Sequence, residues 1–293
     1  MSTLWKDIRY KMLHSGSKLG LLIGINMIVF LAINIPAVFE QLFRGFGNSA
    51  IANVAYSYLA MPSSLPKLLT HPWTPITYMF MHDGVFHVLF NMLWLYWFGQ
   101  IFEEYLGNKR TLTLYFLGGL AGAIFFVGSF NIFPGFANSG ILGGATIVGA
   151  SACVMAIIVA TATLLPDYEI FLMFLGPVKL KWLALFFVII DFLNVASANA
   201  GGELAHLGGA LIGFIYIKQL KRGRDWSAPI NNIFTAKSKI KVVAGGGGAD
   251  GKKASLPRQD EVDRILDKIS QSGYDSLNKQ EKETLFRASN NER

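Results

Sequence analysis

Cysteine is nearly missing from this chain: Cys153 stands alone among 293 residues. An intrachain disulfide is therefore impossible, and cysteine usage gives no clue to redox compartment. Cys153 lies in an apolar run and reads as a small packing residue. Charge is scarce as well. Asp, Glu, Lys and Arg together make up 15% of the sequence, against about a quarter in soluble domains. With 52% hydrophobic residues and a mean hydropathy of +0.40, the composition suits a polytopic membrane protein better than a soluble domain. Acidic residues are the scarcer sign, leaving a net charge of +7. Much of the basic excess lies in the termini, which reads as positive charge kept on the cytoplasmic side, not as a nucleic-acid surface.

A bilayer-crossing helix needs about 20 apolar residues. Six segments qualify: 19–38, 84–102, 112–133, 144–164, 178–195 and 203–220. Lys6, Arg9, Lys11 and Lys18 precede the first, which is too long for a signal-peptide core and lacks a convincing cleavage site, so it reads as an uncleaved span. Lys109, Arg110, Lys179, Lys181, Lys221, Arg222 and Arg224 fall in alternate loops, and loops 134–143 and 196–202 have no Lys or Arg. That alternation predicts both termini in the cytoplasm. The long loop 39–83 contains apolar stretches at 50–60 and 65–70, which suit short interfacial helices.

Four regions follow: a cytoplasmic segment 1–18, the six-span region 19–220, a basic Gly-rich linker 221–257, and a cytoplasmic helical hairpin 258–293. In the hairpin, Val262, Ile265, Leu266 and Ile269 recur at helical spacing and Gly273 is a plausible stop. Asn278 with Glu281 resembles a capping box for a second helix. Two such short helices bury little core alone, so this hairpin is expected to dock on a partner or to be marginally folded.

Polar groups inside a bilayer are costly and mark functional sites by default. Three clusters stand out: His82, His87 and Asn91 on the second span, Ser151 on the fourth, and His206 on the sixth. Each also has a plain structural reading. Ser151 sits among small residues and fits a helix-packing position, and His206 could bond a neighbouring span. Gly209 and Gly213 form a Gly-x-x-x-Gly pair that would hold the sixth span tightly against another helix. If that helix is the fourth, His206 reaches the Ser151 hydroxyl as a general base. His87 and Asn91, four apart on one helix face, would join the Ser151 amide in stabilising an oxyanion. Orientation puts all three clusters in the outer half of the bundle, with Ser151 about seven residues into its span, or about 10 Å down, and His206 in a first turn. A metal site from His82, His87 and His206 lacks a thiolate and a clear carboxylate ligand, so no metal or cofactor is expected. Glu203 and Asp191 could orient the imidazole, but interfacial solvation is the favoured reading of both. His14 and His71 are given no role.

These motifs in order resemble the rhomboid family of intramembrane serine proteases: His82, His87 and Asn91; Gly149 and Ser151; Ala205, His206, Gly209 and Gly213. The resemblance covers about 19–220. It implies an all-α, six-helix membrane bundle and a Ser151–His206 dyad without a third acid. It also implies an oxyanion site from His87, Asn91 and the Ser151 amide, and structural roles for His82 and for Glu103 at the end of the second span. Implied substrates are membrane-anchored proteins cut near the outer end of their spans, after a small residue. The implied location is a bacterial inner membrane, with the site toward the outer face. Residues 262–289 resemble a small module appended to some bacterial rhomboids. Three positions depart from the family pattern: Thr74 follows Trp73 where an Arg is usual, Ala152 replaces a common glycine, and Met155 stands where some relatives place an aromatic ring. Two rivals remain: a catalytically silent rhomboid-like protein that binds membrane clients, and a transporter. Intact Ser151 and His206 argue against the first, and the gathering of polar groups at one depth argues against the second.

Overall fold

Large apolar side chains face outward on this protein: Ile28, Phe39, Ile124, Phe186 and Leu211 are all exposed. In water such a surface would aggregate, whereas in lipid it is the normal exterior. The computed structural model describes residues 17–47, 49–137, 144–172, 176–197, 199–227 and 259–289. The chain divides into two units, Met1–Lys237 and Ser238–Arg293.

In the first unit, α1 runs Lys18–Arg44. The long loop then folds into α2 (Ala50–Leu59), strand β1 (Met61–Pro62), α3 (Leu65–Thr70), α4 (Thr74–Thr77) and a 3-10 turn, Tyr78–Phe80. The two short loop helices expected from the sequence are thus present at nearly the expected positions. Next come α5 (Val85–Leu106), α6 (Asn108–Ile132) and the single turn α7 (Pro134–Ala137). Strand β2 (Thr146–Ile147) leads into α8 (Ser151–Leu164). An antiparallel hairpin, β3 (Glu169–Leu172) with β4 (Gly176–Lys179), precedes α9 (Leu180–Leu193) and α10 (Ala200–Lys221).

Among the described residues, four helices are long and apolar enough to cross a membrane: α1, α5, α6 and α10. Two sequence expectations need correcting. The fourth segment is not helical from residue 144: its first part is extended and pairs with β1, so α8 has only 14 residues. The fifth also shrinks to a 14-residue helix, because residues 178 and 179 belong to β4. At 1.5 Å per residue each of these helices is about 21 Å long. The first helix, conversely, runs past residue 38 to Arg44 with Pro36 inside it.

The core forms around α8, whose most extensive contacts are with α10, then α6 and α5. Its buried residues fall on all sides of the helix, including Ala152, Cys153, Val154, Met155, Ala156 and Ile157. Small residues permit the close approach. A Cβ added at Gly209 or Gly213 would overlap the carbonyl oxygen of Ala152 or Ala156, and one at Gly118 would sit 3.1 Å from the Cys153 Cα. This is the small-residue contact that the Gly-x-x-x-Gly pair predicts. Polar groups buried nearby are bonded: Tyr78 Oη donates to the Gly119 carbonyl at 2.6 Å and Tyr115 Oη to the Met79 carbonyl at 3.0 Å. Asn26 of α1 donates to Tyr115 Oη at 3.0 Å. Such bonds pin the 3-10 turn ahead of α5 to α6 and α1.

In the second unit, α11 (Gln259–Ser272) and α12 (Lys279–Ser289) form the expected pair of short helices, with Gly273 at the stop. The capping box is present in both directions: Glu281 N–H donates to Asn278 Oδ1 at 2.9 Å, and Asn278 N–H to Glu281 Oε2 at 2.8 Å. Ile265 and Leu277 are buried, and Lys268 pairs with Glu281 at 2.9 Å. His14 and the Gly-rich stretch 245–248 lie outside the described residues.

Candidate active site

Everything at the site depends on how the chain enters α8. The pairing of Met61 with Ile147 and Pro62 with Thr146 holds the approach extended. Ser63 reinforces it by donating both its N–H and its Oγ–H to the Ala145 carbonyl, at 3.0 and 3.1 Å. Gly149 N–H then bonds the Tyr78 carbonyl at 2.9 Å. Gly149 has φ +123°, and a Cβ there would lie 2.8 Å from both Cε1 and Nε2 of His87. Glycine is thus required twice over, by backbone conformation and by the ring against it.

Ala150 N–H is taken up by His82 Nε2 at 3.4 Å, with His82 almost fully buried. The helix begins at the next residue, Ser151, without a side-chain cap. Its first backbone bond is Val154 N–H to the Ala150 carbonyl at 2.9 Å. The amides of the first turn therefore have no intrahelical acceptor, and they sit at the positive end of the helix dipole. The apolar run in the sequence predicts Ser151 about seven residues inside a helix. It is instead the first helical residue, because a β-pair occupies the approach.

His87 lies in the first turn of α5, and its Nδ1 accepts the Asp83 N–H at 3.4 Å. An accepting Nδ1 puts the ring proton on Nε2, the nitrogen that faces Gly149. Asn91, one turn on, is 7% exposed, and its amide donates to the His87 carbonyl at 2.9 Å. His206 comes from α10, in the second turn and not the first, since that helix already begins at Ala200. Ser151, His87, Asn91 and His206 line a single cavity of about 680 Å³, together with Met155 and Asp191. His82 is not among the lining residues and stands behind the turn that precedes Ser151.

The remaining flagged residues sit around this centre. Glu103, at the far end of α5, accepts the Leu19 N–H at 3.2 Å and so ties α5 to the start of α1. Ala152 is 1% exposed, and a Cβ at Gly122 of α6 would lie 2.6 Å from its own. Thr74 is buried and its hydroxyl donates to the His71 carbonyl at 2.8 Å. His71 is packed between the Tyr58 and Trp73 rings.

One sequence expectation is overturned here. Asp191 is not solvated at an interface, whereas Glu203 is partly exposed and accepts the Asn199 amide. Asp191 is 7% exposed, and its Oδ1 lies 3.3 Å from His206 Nδ1; Glu203 Oε2 lies 3.8 Å from the same nitrogen. Donor atoms of the three residues fall within 4.8 Å of one another. Carboxylates do therefore stand beside a histidine, although they accompany His206 and not His82 or His87. Sequence reasoning also missed Tyr78, whose carbonyl and hydroxyl both anchor the site. Its only sequence signal is an aromatic hydroxyl in an apolar stretch.

The Rhomboid domain family model matches residues 69–222, more than half of the chain. The chain belongs to the rhomboid family. A second match, to a family of unknown function (DUF6576), covers residues 253–291 of this rhomboid. RHOMBOID-like protein 12, mitochondrial, of Arabidopsis thaliana is 31% identical over 160 residues, which is 52% of this chain and 47% of that protein. Rhomboid protease GlpG of Yersinia pseudotuberculosis is 29% identical over 159 residues, 54% of this chain and 51% of its own. Rhomboid-like protein 16, chloroplastic, of Arabidopsis thaliana is 30% identical over 215 residues, covering 69% and 64%. The rhomboid described here thus spans about half the length of the first two relatives. Family membership and the outward apolar faces make it an integral membrane protein with a mostly helical membrane fold.

Proposed function

We propose that this rhomboid is an intramembrane serine endopeptidase in which Ser151 is the nucleophile and His206 the general base. The observation that carries the reading is the shared cavity: Ser151, His206, His87 and Asn91 come from three helices far apart in sequence and line one space. In the reaction, Ser151 Oγ bonds to the scissile carbonyl carbon while His206 takes the hydroxyl proton. The resulting oxyanion is held by the His87 Nε2–H, the Asn91 amide and the Ser151 N–H. His206 then gives its proton to the leaving amine as the C–N bond breaks. Water repeats the cycle on the acyl ester: its proton goes to His206 and from there to Ser151 Oγ, releasing the acid product.

Substrates in this reading are membrane-anchored proteins cut within or near the outer end of their spans. The same reading has six spans, α8 and α9 completing the four longer helices. The sheathing of α8 by α5, α6 and α10 supports its shortness, because its ends need not meet lipid. Both termini then lie in the cytoplasm of a bacterial cell, the site faces outward, and the unit around α11 and α12 awaits a cytoplasmic partner across a basic linker. Cleavage of a transmembrane substrate by purified Ser151→Ala and His206→Ala tests the assignment. Each should abolish cleavage with the melting temperature unchanged, and the double variant should be no worse, since the pair acts as a unit. Substantial residual cleavage by Ser151→Ala would remove this serine as nucleophile.

A further inference from the structure

Asp191 is an unusual residue to find in α9. No other described Asp or Glu is as deeply buried, and its neighbours along the helix, Ile189, Ile190 and Phe192, are exposed apolar side chains. A carboxylate withdrawn from water is costly unless it is paired. Here Asp191 Oδ2 is buried without a hydrogen-bond partner, and so is His206 Nδ1. The two groups lie close together, with Oδ1 3.3 Å from Nδ1, but are not aligned as a hydrogen bond. Glu203 is the weaker claimant on that nitrogen. It is farther away, at 3.8 Å, and its Oε1 already accepts the Asn199 amide at 3.2 Å.

We propose that Asp191 is a positioning residue for His206, acting through Nδ1. This rests on the reading of His206 as the base for Ser151, and it adds an acid to a pair read from the motifs as a dyad. A proton on Nδ1 is drawn to the Asp191 carboxylate, which fixes the tautomer and the plane of the ring. The lone pair is then on Nε2, the nitrogen available to the cavity that Ser151 lines. When Nε2 takes the serine proton the ring becomes a cation, and the carboxylate at Nδ1 stabilises that charge without itself gaining a proton. The 3.3 Å contact is poorly aligned for a hydrogen bond, as catalytic contacts often are before substrate arrives, and it tightens as charge develops. The geometry also couples helices: α9 supplies the acid and α10 the base, so the angle of the imidazole depends on how α9 is seated.

The experiment is steady-state cleavage of a transmembrane substrate by the full chain carrying Asp191→Asn, Asp191→Ala or Asp191→Glu. Alongside it, the rate of Ser151 labelling by a fluorophosphonate and the melting temperature are measured. For Asp191→Asn, near in shape but uncharged, kcat should fall by about 10- to 100-fold, the range found when the carboxylate partner of a metal-binding histidine is lost. KM should stay within about two-fold, the pattern of an interaction used in the transition state and not in binding. The labelling rate should fall in step with kcat, and Asp191→Glu should recover part of the loss. Asp191→Ala should lose at least as much as the Asn variant. A wild-type kcat in Asp191→Asn overturns the proposal, as does a loss that appears wholly in KM or melting temperature. Ser151→Ala and His206→Ala measured beside it separate the two claims. If those remain active, the proteolytic assignment fails. If they are dead while Asp191→Asn is unimpaired, only the role of Asp191 fails.

Discussion

Replacing Gly209 by alanine tests whether catalysis depends on the depth to which α10 nests against α8. A Cβ at this position would fall on the Ala152 carbonyl oxygen, which is backbone and cannot rotate aside. Relief requires the two helices to separate by about 1 Å, bringing carbon and oxygen to the roughly 3.3 Å of a tolerable contact. Gly209 is three residues from His206 on the same helix, and Ala152 directly follows Ser151. The separation therefore acts almost wholly on the distance between nucleophile and base. A 1 Å misplacement of reacting groups costs about 100-fold in rate, and overpacking of this kind destabilises by about 1–3 kcal/mol. Gly209→Ala should thus lower kcat by about two orders of magnitude, with a reduced melting temperature and little change in KM. The control is Gly128→Ala on α6, where an added Cβ meets no heavy atom within 4 Å. It should leave turnover unchanged and, as alanine is the better helix former, leave the melting temperature level or slightly raised. The assay is cleavage of one model substrate in detergent by all three proteins at matched concentration. Wild-type turnover and melting temperature in Gly209→Ala would refute the reasoning, since the helices could not then be in the contact described.

Three further outcomes follow from the same geometry. Asn91→Ala should lower kcat by about 10- to 1000-fold with KM nearly unchanged, as when one oxyanion donor is lost; a purely weakened KM would assign Asn91 to substrate contact. Truncation after Ser227 removes the second unit but keeps Asp225, paired with Arg110 at 2.8 Å, and Trp226, packed edge-on to Tyr216. Turnover in detergent should then be near normal, and its abolition at an unchanged melting temperature would show coupling to the site. Bonds from Asn278 N–H and then from Lys268 hold the Glu281 carboxyl below its ordinary value of 4.5. Its contribution to the α11–α12 pair is therefore present above pH 4.5 and lost as pH falls through the lowered value. Circular dichroism of the second unit, titrated from neutral pH downward, should show helix loss that a Glu281→Gln variant does not.

Long apolar runs and motif spacing made much of this molecule legible in the sequence. His87 with Asn91, Ser151 and His206 lie on the helices expected of them, whereas His82 falls just ahead of α5, which begins at Val85; the Gly209–Gly213 pair meets the helix expected of it. The capping box at Asn278 and Glu281 was readable because it is a local pattern with a fixed offset. Less legible was anything set by distant pairing. The extended approach to Ser151 depends on residues 61 and 62, more than 80 positions away, and no local periodicity reports such a partner. For the same reason α8 read as too long and Ser151 as too far along its helix. Asp191 was visible as an interruption in an apolar run, but whether an acid near a helix end is solvated or buried is decided by the helix packed over it. Here that helix brings a histidine.

The sheathing of α8 also bears on how freely different parts of this protein can drift in sequence. Along α1, 28% of the most apolar window is buried, whereas for α6 and α10 the share is 56%. Positions on α1 therefore mostly answer to lipid, which accepts any apolar side chain of roughly suitable length. Positions where α6 and α10 meet α8 answer to backbone atoms, and for several of them even one extra carbon is too many. Two lineages of this protein can thus diverge widely around the rim of the bundle while remaining nearly identical along its axis. Overall percentage identity between them would then understate how similar their working centres are.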